Sequence, residues 1–345
     1  MSLALFGFHI ERDGYGCGVR NIARELRRID SDDEIIDMAV DGMYVNPQER
    51  TWTRPDQAVM VCLPLWYGDV VADGGLTGVT MFEASRLPDN WATLINQYCT
   101  RLVVPCAWNV QVFETSGVRV PISIVPWGIN PEEYFYMERN TLTPALSQRE
   151  RGEERPYTFV WSGTPDLRKG WDVAYRAFRL AFGDRNDVQL ILHFREALPG
   201  QPRFRDRNVR AMVGSIDDYA WRALLASADV FVYPARGEGW GLPPREAAAT
   251  GLPVIATNFG GLAQDIGAWA MPLDVRRMVT AEYGYFDAGS IGEWAEPDID
   301  HLVELMRWCE CNRDAAREVS RCAAEWLRIR GTWAQTAQQL LGAIC

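Results

Sequence analysis

Between Tyr233 and Gly261 the chain reads YPARGEGWGLPPREAAATGLPVIATNFGG, with two glutamates, Glu238 and Glu246, separated by seven residues. Gly237, Gly239 and Gly241 alternate around the first glutamate, so the backbone there can approach a ligand closely. Pro243 and Pro244 suit the first turn of a helix, where a missing N–H costs little, and Gly251 followed by Pro253 ends that helix. The amides of Gly239, Trp240, Gly241 and Leu242 would then face outward at a helix N-terminus, a position that favours an anion such as a diphosphate. Carboxylates beside a phosphate site are unfavourable unless they accept hydrogen bonds from hydroxyls. A sugar nucleotide carries such hydroxyls on both its ribose and its sugar.

A second segment, WSGTPDLRKGWDVAYRAF at 161–178, places Arg168 and Lys169 at the start of a predicted helix. Cations are unfavourable at that end of a helix dipole unless an anion lies nearby. Lys169 is the only lysine in the chain, so any chemistry that requires a lysine has one position to use.

The elements that must hold these residues alternate in type. YTFVWSG, VQLILHF, VFVYPA and PVIATN read as strands, with DVAYRAFRLAF, DYAWRALLASA and PREAAATG as intervening helices. The first half has the same rhythm: a strand at 3–9, a glycine loop ERDGYGCG, a helix from Val19 to Ile29, apolar runs at 58–65, 102–105 and 122–126, and helices at 90–100 and 108–115. The expected architecture is α/β, two doubly wound Rossmann-like domains facing across a cleft. The expected domains are 1–150 and 156–324, joined by the charged, aperiodic stretch 139–156, and the C-terminal tail is expected to form one or two long helices. The glycines of the first loop, Gly16 and Gly18, are expected to let the N-terminal domain close over a ligand. In the helix that follows, Arg20, Arg24, Arg27 and Arg28 form one face and Val19, Ile22, Leu26 and Ile29 the other. Such a basic stripe is a solvated face, or a contact for an anionic membrane surface or a polyanion.

The chain of 345 residues is 48% hydrophobic and 23% charged, enough for a core in each of two domains. A net charge of -11 argues against a protein whose whole surface attracts nucleic acid. Eight cysteines include one C-x-C pair and no C-x-x-C, and with three histidines (His9, His193 and His301) they make no zinc pattern. Cysteines inside apolar stretches point to a reducing, cytoplasmic compartment, and the N-terminus has no leader pattern.

The glutamate pair within EGWGLPPREAAATGLPVIAT resembles the donor-binding signature of glycosyltransferase family 4, retaining enzymes of the GT-B fold. The resemblance extends to WSGTPDLRKGWDVAYRAF and to TMFEASRLPDNWATLINQYCTRLVVPCAWNVQVF at 80–113, and it covers nearly the whole chain apart from 139–156. It implies that Glu238 contacts the transferred sugar, Glu246 the ribose hydroxyls, and Arg168 and Lys169 the donor diphosphate as it departs. Thr164 stands where many members have an arginine, and Glu83 near the cleft where many have a histidine; Glu83 is read equally as a packing or capping residue. The implied reaction is a front-face displacement that moves a hexosyl unit from a nucleoside-diphosphate sugar to a hydroxyl. The acceptor would be a glycan, lipid-linked or small-molecule hydroxyl, with no cofactor and no metal. A transferase that modifies DNA bases and a non-catalytic nucleotide-sugar-binding protein are the alternatives.

Overall fold

The computed structural model describes residues 3–8, 14–29, 36–40, 55–70, 72–137, 155–197, 204–283 and 290–344. The chain divides into two compact units: Met1–Asn130 with Thr280–Glu293 and Arg330–Cys345, and Pro131–Val279 with Trp294–Ile329. Most of the charged stretch 139–156 lies outside the described residues.

The first unit contains β1 (Leu3–Phe8), α1 (Gly14–Ile29), β2 (Ile36–Val40), β3 (Gln57–Val61), β4 (Leu76–Val79), α2 (Trp91–Tyr98), β5 (Cys99–Val104), α3 (Ala107–Thr115) and β6 (Ile122–Ile124). Its strands form a parallel sheet in the order β2-β1-β3-β4-β5-β6.

The second unit runs through β7 (Tyr157–Gly163), α4 (Trp171–Phe182), β8 (Val188–Phe194), β9 (Val209–Val213), α5 (Asp218–Ser227), β10 (Val230–Tyr233), α6 (Leu242–Ala249), β11 (Val254–Thr257), α7 (Ile266–Trp269) and β12 (Met271–Leu273). Its sheet is parallel in the order β12-β11-β10-β7-β8-β9. Strand β7 is buried at every position, as a central parallel strand covered on both faces must be. Phe159 on β7 packs against Phe178 and Phe182 of α4, with ring centres 6.1 and 5.3 Å away. The chain moves outward from β7 to β9, then returns to β10 on the other side of β7. That reversal makes β7 and β10 neighbours and brings the loops that follow them together, the Arg236 amide donating to the Arg168 carbonyl at 2.7 Å.

After β12 come β13 (Val275–Glu282), β14 (Ser290–Pro297), α8 (Ile299–Cys311), α9 (Arg313–Arg330) and α10 (Trp333–Ile344). Three helices therefore stand where one or two were expected. The second break is set by pairing: Gly331 accepts from the Ile129 amide at 2.7 Å, and Trp333 donates to the Ile129 carbonyl at 3.2 Å. A helix continuing through these residues would lose both bonds.

Another difference concerns the first glycine loop. The helix begins at Gly14, so Gly16 and Gly18 are buried helical residues and do not form a loop. The space a Gly18 side chain would need is filled by the Trp127 indole. Tyr15 anchors the first turn, sharing a 3.0 Å hydrogen bond with the Thr80 hydroxyl and donating to the Met81 carbonyl at 3.2 Å. These tertiary contacts outweigh the poor helix propensity of glycine. The basic stripe is also altered. Arg24 and Arg28 bond to Glu25 at 2.9 and 3.2 Å, and Ile29, expected on the apolar face, is 44% exposed where the helix ends. No described helix is long and apolar enough to cross a membrane.

Gly170, which opens α4, has φ +71°, and a Cβ there would overlap the Pro234 carbonyl. Gly170→Ala should therefore lower the unfolding free energy by about 2 kcal/mol or more, combining backbone strain with the collision. Urea denaturation measures this, and an unchanged midpoint would contradict the close approach of the two loops.

Candidate active site

The strand-order reversal collects the second unit's predicted site residues. Strand β7 delivers a loop, then a single 3-10 turn at Leu167–Lys169. Asp166 caps that turn, accepting from the Arg168 amide at 2.8 Å, and Trp161 on β7 donates its indole N–H to the Lys169 carbonyl at 2.9 Å. Strand β10 ends at Tyr233 and delivers the glycine loop. Arg168 crosses between the loops, its Nη1 donating to the Gly237 carbonyl at 2.9 Å.

Glu238 is 7% exposed, and its Oε1 accepts from the Lys169 ammonium and, at 2.8 Å, from the Tyr233 hydroxyl. Arg168 Nη1 lies 3.8 Å from the same oxygen. Burial works against the charge on Glu238, but the cations of Lys169 and Arg168 outweigh it and hold the carboxyl below its ordinary range. Tyr233 is pushed the other way, by burial and then by the adjacent Glu238 charge, so it remains a donor at neutral pH. The result is a fixed carboxylate between two cations and a phenol, an arrangement that can orient hydroxyls beside an anion.

Glu246 lies in α6 and keeps part of its surface exposed. Trp221 of α5 donates its indole N–H to Oε2 at 3.0 Å, and Tyr134 supplies a further hydrogen bond. Burial pushes this carboxyl up to about 7, with the Asp218 charge adding to the shift; Trp221, Arg195 and Tyr134 oppose it. The two glutamates of one motif thus have opposite acidities, and the cations beside Glu238 are the reason.

The loop 239–241 turns into α6 at Gly241, whose φ of +88° lies in the left-handed region. No side chain caps this helix start. Trp240 is buried, and Leu242 is the first helical residue. A second glycine pair backs the loop: the Gly261 amide donates to the Glu238 carbonyl at 2.8 Å, and a Gly261 side chain would overlap the Gly239 carbonyl. Thr164 follows β7 directly and is half-buried.

Glu83, Gly16 and Gly18 lie in the first unit. Glu83 is half-buried beyond the end of β4, near enough for its charge to act on Tyr15. Among the described residues no group of three or more His, Cys, Asp or Glu could hold a metal ion. His193, one of the three histidines, is buried between the Ser162 hydroxyl at 2.8 Å and the Gly214 carbonyl at 2.9 Å.

Several residues of this site carry no signal in the motif itself. Tyr233 and Arg195 are identifiable only by position, as the last residue of β10 and the first after β8. Arg236 is more concealed. Its guanidinium makes paired bonds to Asp172 at 2.8 and 2.9 Å and to Glu296 at 2.6 and 3.1 Å, and it also donates to the Leu167 carbonyl at 2.5 Å. It ties the glycine loop to the turn that carries Arg168 and Lys169.

Comparison with known proteins gives this geometry a family. Residues 135–340 match the family described as Family 4 Glycosyltransferase in conflict systems. The chain is 25% identical over 219 residues to the protein assigned as glycosyltransferase 45 of the Sulfolobus islandicus filamentous virus, spanning 61% of this chain and 56% of that one. It is 34% identical over 143 residues to the D-inositol 3-phosphate glycosyltransferase of Pseudarthrobacter chlorophenolicus, spanning 36% of this chain and 33% of the other. The matches thus cover from a third to just over half of these relatives' length. HepE of Anabaena, solved with UDP and glucose, superposes with a TM-score of 0.70 at 14% identity, covering 100% of this chain and 99% of HepE. Sucrose-phosphate synthase of Thermosynechococcus elongatus gives 0.69 at 14% identity, covering 99% of this chain and 98% of the synthase. At these identities the structural likeness concerns the fold, which is GT-B. With the family matched over more than half of its residues, this chain belongs to the family 4 glycosyltransferases of conflict systems.

Proposed function

We propose that the protein is a retaining glycosyltransferase that moves a hexosyl unit from a nucleoside-diphosphate sugar to a hydroxyl acceptor. The observation that carries this reading is Glu238, a buried carboxylate held by Lys169 and Tyr233 beside an uncapped helix start at the strand-order reversal. Glu238 Oε2 accepts from a hydroxyl of the transferred sugar, and Glu246 accepts from the ribose. The diphosphate lies against Arg168, Lys169 and the amides of 239–242, with Thr164 beside it. Breaking the sugar–phosphate bond moves an electron pair onto the diphosphate, and these fixed positive groups stabilise it without a metal ion. The departing diphosphate oxygen takes the proton of the acceptor hydroxyl, whose oxygen bonds to the anomeric carbon on the same face. Configuration is retained, and the products are a nucleoside diphosphate and a glycoside.

UDP-glucose is the first donor to test, because HepE shares the fold and was solved with UDP-glucose. Phosphorylated polyols are the first acceptors, because the D-inositol 3-phosphate glycosyltransferases are among the relatives. With EDTA present, purified protein should release nucleoside diphosphate from one sugar nucleotide faster when an acceptor is added, and NMR of the product should show the donor's anomeric configuration. Glu238→Gln and Lys169→Ala should each lower kcat by about 100-fold or more. A full panel of sugar nucleotides giving no turnover would overturn the reading, and an inverted product would overturn the front-face step.

The pH dependence follows from Glu246. Its carboxyl titrates near 7 in the folded protein, above the ordinary value of 4.5. The folded state therefore holds its proton more tightly, and this contribution to stability is lost as pH rises from about 4.5 through about 7. Two ribose hydroxyls donate best to an ionised carboxylate, so donor binding should tighten over the same rise and release a proton below pH 7. UDP-glucose has no titrating phosphate in that range. Calorimetric Kd values at pH 5.5 and 8 should differ for the wild type and converge for Glu246→Gln; an equal pH dependence in both would assign it to another group.

A further inference from the structure

Arg245 precedes Glu246 in α6 and is 2% exposed. Two indoles enclose the guanidinium, which lies 3.7 Å from the ring centre of Trp240 and 4.4 Å from that of Trp269. Its Nη1 donates to the carbonyls of Trp240 and, at 3.2 Å, Gly241. Its Nη2 donates to the carbonyls of Gly261 at 2.9 Å and Gln264 at 3.4 Å. One buried cation thus gathers four carbonyls from two glycine-containing loops. Trp269 is itself fixed, donating its indole N–H to the Gln264 carbonyl at 3.0 Å.

In a trans peptide the C=O of one residue and the N–H of the next point in opposite directions. Turning the Trp240 carbonyl toward Arg245 turns the Gly241 amide away from it, and turning the Gly241 carbonyl does the same for the Leu242 amide. These amides form the helix start assigned above to the diphosphate. We propose that Arg245 is a positioning residue that sets the diphosphate-binding amides by drawing their partner carbonyls inward, while its buried charge adds to the positive field behind them. This rests on the donor-site reading of the glycine loop. Lysine cannot replace it: an ammonium has no plane to stack between two indoles and no fork to span two loops.

The test separates diphosphate from nucleoside. Wild type, Arg245→Met and Arg245→Lys are titrated with UDP and with uridine, or with GDP and guanosine if the wild type prefers them, using calorimetry and saturation-transfer NMR. Thermal melts check folding. Glu246 holds the ribose in both ligands, so nucleoside affinity should stay within about twofold. Diphosphate affinity should fall about 10- to 100-fold in Arg245→Met, the range seen when a residue that orients a metal's ligands is removed, and Arg245→Lys should recover only part of it. A proportional loss for both ligands, or no loss for either, would overturn the proposal. If Arg245→Met does not fold, Arg245→Lys and Trp269→Phe carry the same comparison. A wild type that binds no nucleoside diphosphate would refute the donor-site reading itself, an outcome distinct from any result with the variants.

Discussion

A carboxylate removed from water must find its compensation within the protein, and the second unit is organised around one such group. Glu238 is buried, and the loss of hydration disfavours its charge. Lys169, Arg168 and Tyr233 reverse that balance. The cations belong to the loop after β7, whereas Glu238 and Tyr233 belong to β10 and its loop, so the pairing requires those two strands to be neighbours. The reversal of strand order supplies this adjacency, and no sequential order of the same strands would. Gly170 follows from the same requirement: at the point of closest approach to Pro234 a side chain has no space.

Arginines then stiffen what the reversal brings together. Arg236 spans Asp172 and Glu296 while holding the turn at Leu167, so the cationic turn and the glycine loop are tied as one body. Arg245 performs a comparable task on the far side of the loop with carbonyls and indoles in place of carboxylates. In both cases the planar fork satisfies several acceptors in fixed directions, which a lysine could not do. The single lysine supplies a compact charge beside Glu238, and arginines stand where several acceptors must be held in fixed directions.

The first unit shows the same logic with apolar contacts. Trp127 lies against Gly18 and forms an edge contact with Tyr15, their ring centres 6.0 Å apart, and Tyr15 in turn joins the start of α1 to the end of β4. Gly18 there serves close packing of a helix, a use that a glycine-rich sequence does not distinguish from ligand approach.

What the sequence determined by itself was the part carried by local rules. Apolar periodicity located β1, β3, β5 and β6 of the first sheet and β7, β8, β10 and β11 of the second, but not β2, β4, β9 or β12, which are short or, like β9, largely exposed. Glycine and proline punctuated the loop from Gly237 to Gly241 and the start of α6, and the spacing of Glu238 and Glu246 marked a candidate ligand site. These signals depend on residues a few positions apart, so they survive in one dimension. Tertiary structure alone decided the rest. It gave Glu238 and Glu246 opposite acidities, because one lies beside Lys169 and Arg168 while the other is desolvated against Trp221. It placed Gly16 and Gly18 in a helix where a loop was expected, with Trp127, more than a hundred residues away, packed against Gly18 and Tyr15 anchored to Thr80 and Met81. It made Arg245 and Arg236 structural centres, although in sequence they are two among many arginines. Burial and charge pairing are properties of the folded neighbourhood, and that neighbourhood is assembled from segments the sequence keeps far apart.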